Sequence, residues 1–557
     1  PKPKQRMDFE RQFGMRLPVW IGGIALALTG VFLVKYSIDN ELLSPTVRVI
    51  LGGLLGAALL YGAEWIRRKP DFANGMRIAQ SLSGAGIPVL YGSLLAATRL
   101  YHLIPNGVCF LGMGVITATA VILSLRHGPP IALLGLVGGF LTPALIGSNN
   151  PSAPLLFVYL YFLFSGLMLI IKHQNFWMLS IPTLLGAFVW VLLWMDRSFT
   201  PADSVWLILF LAAVSATIVI SSKRAYAKEL DADSNAFEIT SALNYGGLSI
   251  AIILTGIIVS KAGFGSLDWS LCGFLAVGSI SLAYCNNKLY GFVPWVSMGV
   301  NAVMLFFWKT ADANTFALIL VIFTSIYAGA GYVLMWRARL PLLWAGLAAT
   351  TSVGFYLLAY FKLHHTGLVE NIRLFWGFAA LVLAGVAVYA LQKVRDHYHD
   401  HPHKEYLLAI FAATATAFIS LALTIELARE FLSIALAGQM LAISWINSRI
   451  PIKVLRPISM VLALAFGCLL LPQILLLVFG SQLTSQIGQL IQLLAYFLLD
   501  IEFGLQKSIP IAQSPIFHLG VPALMFIGTS YFLRLDKDGK LVRALELAAV
   551  TLVAIMG

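Results

Sequence analysis

Long stretches without charged residues dominate the chain, and only short polar connections separate them. About 19 such apolar runs can be delimited, each near 20 residues long and each bounded by charged or turn-forming residues. A helix needs about 20 apolar residues to cross the hydrocarbon core of a bilayer. The runs lack the alternation of a membrane β-barrel. The pattern therefore predicts an all-α fold, a polytopic transmembrane helix bundle of about 19 spans arranged as helical hairpins.

The limits of these runs give predicted spans that can be compared with a structure. They lie near residues 18–35, 46–66, 78–98, 106–125, 130–147, 153–171, 176–195, 204–222, 239–260, 269–285, 290–308, 314–336, 341–361, 370–392, 405–425, 431–447, 457–479, 515–533 and 541–557.

The distribution of basic residues predicts the orientation of these spans. If the N-terminus is cytoplasmic, 27 of the 37 Lys and Arg residues fall in inner loops. Cytoplasmic loops of membrane proteins carry such an excess. We therefore expect a multi-pass protein of the bacterial inner membrane with its N-terminus inside.

The same spacing suggests four regions. Residues 1–17 form a basic cytoplasmic segment, and 18–480 form a bundle of about 17 spans. The interval from Arg449 to Arg534 is 85 residues, longer than the other intervals between inner basic residues. We therefore interpret 481–513 as an outer interfacial or re-entrant segment, with a further true span as the alternative. Residues 514–557 hold the last two spans and stop inside an apolar run, so we expect the chain to be an interior piece of a longer protein.

Composition excludes a water-soluble protein. Hydrophobic residues make up 59% of the chain and charged residues 11%, with a formal net charge of +12. Because so few charges cannot cover a soluble surface, we assign the positive charge to loops at an anionic lipid surface and expect no nucleic-acid partner. Membrane lipids are the expected partners, and nothing in the sequence identifies a protein partner. Four cysteines, all in apolar runs, predict neither disulfides nor a cysteine metal site.

Three segments in the first 170 residues have sequences that can be recognised. They read GVFLVKYSIDNELLSPTVRVILGGLLGAALLYGAEWIRRK at 30–69, QSLSGAGIPVLYGSLLAATRLYHLIP at 80–105 and LLGLVGGFLTPALIG at 133–147. The sequence of these segments resembles that of the bacterial multi-pass membrane family catalogued as domain of unknown function 2339. The resemblance implies a long, many-span inner-membrane protein, and it supplies no activity and no catalytic residues.

The first predicted outer loop holds a candidate binding site. Asp39 and Glu41 lie between the first two spans, and Arg48 opens the second. The acidic pair is similar to the one on the first outer loop of C-type glycosyltransferases, although that loop is long in those enzymes and is about ten residues here. A carboxylate there activates an acceptor or holds a divalent metal. A solvated turn is the alternative interpretation.

Further charged residues are expected on the same outer face. Arg99 and His102 end the third span, and Asp500 and Glu502 lie in the 481–513 segment. Charges close to a bilayer are costly unless they are paired or wet. We therefore expect Arg48 and Arg99 to lie near carboxylates or a wet cavity, where they could bind a phosphate or another anionic head group.

An inner loop holds four of the ten histidines. His397, His399, His401 and His403 alternate along the chain, so in an extended segment they could converge on Zn²⁺, Ni²⁺ or Cu²⁺. A solvated polar turn is the alternative. Apart from this possible divalent metal, no cofactor is evident, since nucleotide-binding and zinc-protease motifs are absent from the sequence.

Small and polar residues within the spans suggest two further features. The segments 83–88 and 135–143 are rich in Gly and Pro, which allow either close helix packing or an unwound helix that exposes carbonyls to a substrate. Gln80, Asn244 and Asn301 are predicted to form hydrogen bonds between helices.

Three classes of function fit these observations. Transport or flipping of a lipid or cell-envelope precursor explains the many spans and few charges, and it is the favoured hypothesis. A membrane-embedded transferase with a lipid-linked donor would explain the outer carboxylates. A non-catalytic scaffold would explain the lack of catalytic motifs.

Overall fold

The computed structural model describes residues 44–69, 74–147, 151–174, 176–228, 234–309, 312–363, 375–398, 403–426, 432–449, 519–534 and 539–556, with scattered positions at 21–36 and 459–466. Every regular element within these ranges is helical. Of the helices described, 13 are long and apolar enough to cross a membrane. The predicted all-α transmembrane fold is therefore confirmed.

The chain forms two compact units, Pro1–Leu275 and Ala276–Gly557. The helices of the first unit, and one that continues past its end, are α1 (Pro45–Arg68), α2 (Gly75–Leu95), α3 (Asn106–His127), α4 (Pro129–Ile146), α5 (Ala153–Gln174), α6 (Ser180–Arg197), α7 (Ser204–Lys228), α8 (Ser234–Ala262) and α9 (Ser266–Cys285). A π-helical turn, Ala96–Leu100, extends α2.

The helices of the second unit are α10 (Asn287–Tyr290), α11 (Val293–Phe307), α12 (Ala313–Thr324), α13 (Ala330–Leu334), α14 (Pro341–Leu363), α15 (Phe375–His397), α16 (Lys404–Glu426), α17 (Leu432–Arg449), α18 (Val521–Arg534) and α19 (Gly539–Met556). A second π-helical turn, Ser325–Gly329, joins α12 to α13.

The described helices begin and end within a few residues of the predicted spans. The predicted span 106–125 corresponds to α3, and 341–361 corresponds to α14. The segment 481–513 and most of the predicted spans 18–35 and 457–479 lie outside the described residues. The total of 19 spans and the cytoplasmic N-terminus therefore stay predictions.

Small residues bring α1 and α2 into close contact. A Cβ atom added at Gly86 would lie 3.0 Å from the carbonyl oxygen of Gly56. α2 runs as a continuous helix through Gly84, Gly86 and Pro88, and α4 continues through Pro143. The glycines of the segments 83–88 and 135–143 therefore allow close helix packing, and neither of these two segments is unwound. The irregular part of α2 lies further on, in the π-helical turn.

Polar side chains within the spans connect neighbouring helices as predicted. Gln80 Nε2 donates to the carbonyl of His127, the hydroxyl of Ser222 donates to Asn244 Oδ1, and Asn301 Nδ2 donates to Tyr327 Oη. Large apolar side chains such as Leu111, Phe162 and Phe274 point away from the packed interior. This outward distribution suits a surface that faces lipid.

Candidate functional site

Four residues lie where α1 begins and α2 ends, and we call them the arginine rim: Arg48, Arg99, Tyr101 and His102. Arg48 lies in the first turn of α1, and its Nη1 donates to Tyr101 Oη at 3.4 Å. Its Nε is buried and finds no hydrogen-bond partner among the described residues. Among the described residues, Arg48 is thus half-buried and keeps unused donor capacity.

The π-helical turn positions the rest of the rim. Tyr101 N donates to Ala96 O, which closes the wide turn, and the backbone at His102 then takes a positive φ of 51°. Wide turns of this kind are frequent at functional sites. The turn thereby places Arg99, Tyr101 and His102 at the end of α2, with His102 exposed.

Arg99 reaches the C-terminal end of α4. Its Nε donates to the carbonyl of Leu145 at 3.3 Å, and a Cβ added at Gly147 would collide with its Nη2. Gly147 has φ +58°, so a glycine suits both the backbone and the approach of the guanidinium. A positive charge at a helix C-terminus is favourable because the carbonyl end carries partial negative charge.

The predicted outer-face residues are therefore partly brought together. Arg48, Arg99 and His102 lie at one end of the first unit, whereas Asp39, Glu41, Asp500 and Glu502 lie outside the described residues. Within the described part of the chain, neither arginine forms an ion pair with a carboxylate. The expected pairing with Asp39 or Glu41 stays a prediction.

Four hydroxyl groups from four helices lie between the rim and the interior of the bundle; we call Tyr91, Thr117, Thr142 and Tyr159 the hydroxyl cluster. Tyr91 Oη lies 2.6 Å from Thr117 Oγ1, and Tyr159 Oη donates to the carbonyl of Gly139 at 2.9 Å. Thr142 lies beside both tyrosines. The cluster thus joins α2, α3, α4 and α5.

The depth of the hydroxyl cluster follows from helix geometry. Tyr91 precedes Arg99 by eight residues on α2, which corresponds to about 12 Å along the helix axis. The ring of Tyr91 lies directly on Gly138 of α4, seven residues before Leu145, which gives a similar separation of about 10 Å. The two tyrosines are half-buried and the two threonines are buried. The hydroxyl cluster therefore lies about 10–12 Å from the level of Arg99 along the helix axes, toward the membrane interior.

Little in the sequence predicts the hydroxyl cluster. Thr142 lies in the segment 135–143, which stands out only for its Gly and Pro content. Tyr91, Thr117 and Tyr159 have no local signal, since tyrosine and threonine are common in membrane helices and their convergence depends on packing.

The predicted metal site is only partly described. His397 ends α15, where its ring packs against Trp336 and Tyr398, and His403 is exposed before α16. His399 and His401 lie outside the described residues. In the described part of the chain, no group of three or more His, Cys, Asp or Glu side chains could hold a metal ion. Metal binding at this loop stays a prediction.

Aromatic packing fixes the described end of this loop. The ring of Trp336 stacks on Tyr398 with centroids 5.9 Å apart, and Lys393 Nζ lies 4.7 Å above Trp336. Tyr398 Oη donates to the carbonyl of Met335, and burial raises the pKa of this phenol. The His397 ring is therefore held by packing at the helix end.

A groove of about 550 Å³ lies between α18 and α19 in the second unit. Its walls are mainly apolar, with Tyr531 and Val550 among them. At one end Arg534 Nε donates to Glu546 Oε1 at 2.8 Å. An apolar groove with a polar end suits the hydrocarbon part of an amphipathic molecule better than a small polar solute.

Comparison with known proteins places the chain at the level of a family. A family model described as Predicted membrane protein (DUF2339) matches residues 14–557. Neither the curated proteins nor the solved structures give a match.

Proposed function

We propose, for a chain that belongs to the family of predicted membrane proteins DUF2339, that it binds a lipid or envelope precursor through an anionic head group and moves it across the membrane. The arginine rim is the entry point for the head group, and the hydroxyl cluster is the polar surface along which it passes. The hydrocarbon part of the substrate stays in the surrounding lipid.

The observation that carries this proposal is the charge of the rim. Arg48 and Arg99 donate to a phenol and to a backbone carbonyl, which are neutral acceptors. Two guanidinium groups therefore keep most of their positive charge uncompensated within the described residues. Because guanidinium groups match phosphate and carboxylate in a bidentate manner, an anionic group is the ligand they fit best.

The hydroxyl cluster supports movement rather than binding alone. A charged head group cannot cross the hydrocarbon core unless protein polar groups replace its water. Tyr91 and Tyr159 offer hydroxyls about one head-group length below the rim, and both side chains are half-buried rather than sealed.

The test is a transbilayer assay in reconstituted vesicles. The purified full chain is placed in liposomes that contain fluorescent phosphatidylglycerol or fluorescent phosphatidylcholine, and the rate at which the label reaches the opposite leaflet is measured. We expect faster movement of the anionic lipid than in protein-free vesicles.

Variants of the rim connect the rate to the site. A hydrogen bond to a charged group contributes about 1.5–3 kcal/mol, and 1.4 kcal/mol is a factor of ten. Arg48→Gln and Arg99→Gln should each slow the anionic lipid about tenfold or more at low lipid concentration. Arg197→Gln is the matched control, since Arg197 is an exposed arginine at the end of α6. Equal rates in all three variants would contradict the proposal, and no movement at all would favour the scaffold.

A further inference from the structure

One carboxylate holds three arginines at the opposite end of α1, where the sequence predicts the cytoplasmic side. Glu64 accepts hydrogen bonds from Arg67 Nη2 at 2.7 Å and from Arg68 Nε at 3.0 Å. Arg67 Nε also donates to Glu64 Oε2 at 3.0 Å, and Arg126, which follows 62 residues later on α3, adds a further bond through Nη1 at 3.0 Å. We call Glu64, Arg67, Arg68, Arg126 and His127 the Glu64 cluster.

A buried histidine completes the cluster from the interior side. His127 is fully buried, and its Nδ1 lies 3.1 Å from the hydroxyl of Ser83 on α2. Its Nε2 has no hydrogen-bond partner among the described residues and faces Glu64 Oε2 at 3.8 Å. Hydrogen bonds from α1 and α3 thus hold the carboxylate, and Ser83 of α2 contacts the histidine beside it.

The Glu64 cluster has a strong excess of positive charge and of donors. Three guanidinium groups share one carboxylate, so two positive charges have no acidic partner among the residues that the structure describes. Each guanidinium carries five N–H donors, about fifteen in all, against about four acceptor sites on a carboxylate. The side chains of Arg68 and Arg126 are 69% and 52% exposed, so their remaining donors are accessible from outside the bundle.

An aromatic residue marks the depth of the Glu64 cluster. Trp65 follows Glu64 on α1, is exposed, and lies under Lys69 Nζ at 4.1 Å from its ring centroid. Exposed tryptophans of membrane proteins collect at the level of the lipid head groups. The guanidinium groups of Arg67, Arg68 and Arg126 are therefore expected at phosphate depth.

We propose that the Glu64 cluster is a binding site for the phosphodiester head group of an anionic membrane lipid. Glu64 is the organising residue: it holds the three guanidinium groups side by side before the lipid arrives, and preorganisation of this kind lowers the cost of binding. The phosphodiester receives the N–H groups of Arg68 and Arg126 that point away from Glu64. Arg126 belongs to α3 and binds Glu64 on α1, so the cluster is assembled from two helices and is more than the basic end of one helix.

This site is distinct from the proposed transport pathway. Arg48 and Glu64 are 16 residues apart on α1, which corresponds to about 24 Å along the helix axis. A lipid at the Glu64 cluster would stay in its own leaflet and hold α1, α2 and α3 together at their ends.

Native mass spectrometry of the full chain in detergent tests this proposal. Phosphatidylglycerol and phosphatidylcholine are titrated separately, and inorganic phosphate is titrated against bound phosphatidylglycerol. We expect phosphatidylglycerol to bind at least tenfold more tightly than phosphatidylcholine. Millimolar phosphate should leave it bound.

Variants of two exposed arginines in the cluster, with one matched control, test whether the lipid binds at the Glu64 cluster. Arg126→Gln and Arg68→Gln should each weaken phosphatidylglycerol binding about tenfold while the chain keeps its thermal stability in detergent. Arg395→Gln removes an equally exposed arginine that pairs with one carboxylate, Asp396, and should leave binding unchanged. Equal losses in all three variants, or no loss in any, would overturn the proposal. Displacement of the lipid by millimolar phosphate would show a site for free anions instead.

Discussion

The contact between α1 and α2 makes a sharp prediction, because two glycines of the same helix have opposite surroundings. A Cβ added at Gly86 would lie 3.0 Å from Gly56 O, 3.1 Å from Leu60 Cδ2 and 3.2 Å from Leu59 Cβ. Gly92 has nothing within 4 Å of its added Cβ. The substitutions Gly86→Ala and Gly92→Ala therefore add the same methyl group to the same helix in two different environments.

The expected magnitudes follow from two opposing effects. Alanine is favoured over glycine within a helix by about 1 kcal/mol, so Gly92→Ala should stabilise the protein by up to about that amount. At Gly86 the same gain is opposed by overpacking against a backbone carbonyl, which typically costs about 1–3 kcal/mol. We therefore expect Gly86→Ala to be less stable than Gly92→Ala by about 1–3 kcal/mol.

Unfolding of the full chain in mixed micelles with increasing dodecyl sulfate measures this difference. Both variants are compared with the wild-type chain, with retained helix content as the check on folding. If Gly86→Ala proved as stable as Gly92→Ala, the close approach of α1 and α2 would be wrong, and an unwound segment around Ser83–Pro88 would return as the interpretation.

Three further predictions concern other parts of the chain. Tyr327 Oη lies 2.7 Å from Ser297 Oγ and accepts a hydrogen bond from Asn301 Nδ2 at 2.8 Å. Because such bonds within a membrane average about 0.6 kcal/mol each, Tyr327→Phe should destabilise the second unit by about 1–2 kcal/mol. An unchanged unfolding midpoint would contradict this prediction. Cysteine labelling from outside intact cells should modify position 364 and not position 399, and the reverse pattern would overturn the predicted topology. If the loop of His397 to His403 binds Zn²⁺, its affinity in the full chain should weaken as the pH falls through about 6.5. The affinity should also drop in a His399→Gln, His401→Gln double variant. Calorimetry that shows no heat of Zn²⁺ binding at neutral pH would exclude this site.

The sequence predicts the helices well because their limits depend on local composition. Apolar length and flanking charge fix the ends of α3 and α14 without any knowledge of their neighbours. The sequence likewise predicts that Gln80, Asn244 and Asn301 form interhelical hydrogen bonds, because an amide inside a membrane needs an acceptor or donor on another helix.

The irregular features and the convergent clusters are not predictable in the same way. The π-helical turns at Ala96–Leu100 and Ser325–Gly329 have no signal in the sequence, because their wide hydrogen bonds depend on the packing around them. Arg67 and Arg68 have a local signal, since they follow Glu64 by three and four residues, the spacing of neighbours on a helix surface. Arg126 and His127 have none, because they reach Glu64 only through the pairing of α3 with α1.

Movement of an anionic head group past the hydroxyl cluster can be tested directly by comparing two variants. The rate of phosphatidylglycerol movement is measured for a Tyr91→Phe, Thr142→Val double variant, which leaves the arginine rim intact, and for Tyr61→Phe, which removes an outward-facing hydroxyl on α1. We expect the double variant to bind phosphatidylglycerol with wild-type affinity but to move it about tenfold more slowly, whereas Tyr61→Phe should match the wild-type chain in both. A double variant that moves the lipid as fast as Tyr61→Phe would show that the hydroxyl cluster takes no part in transport.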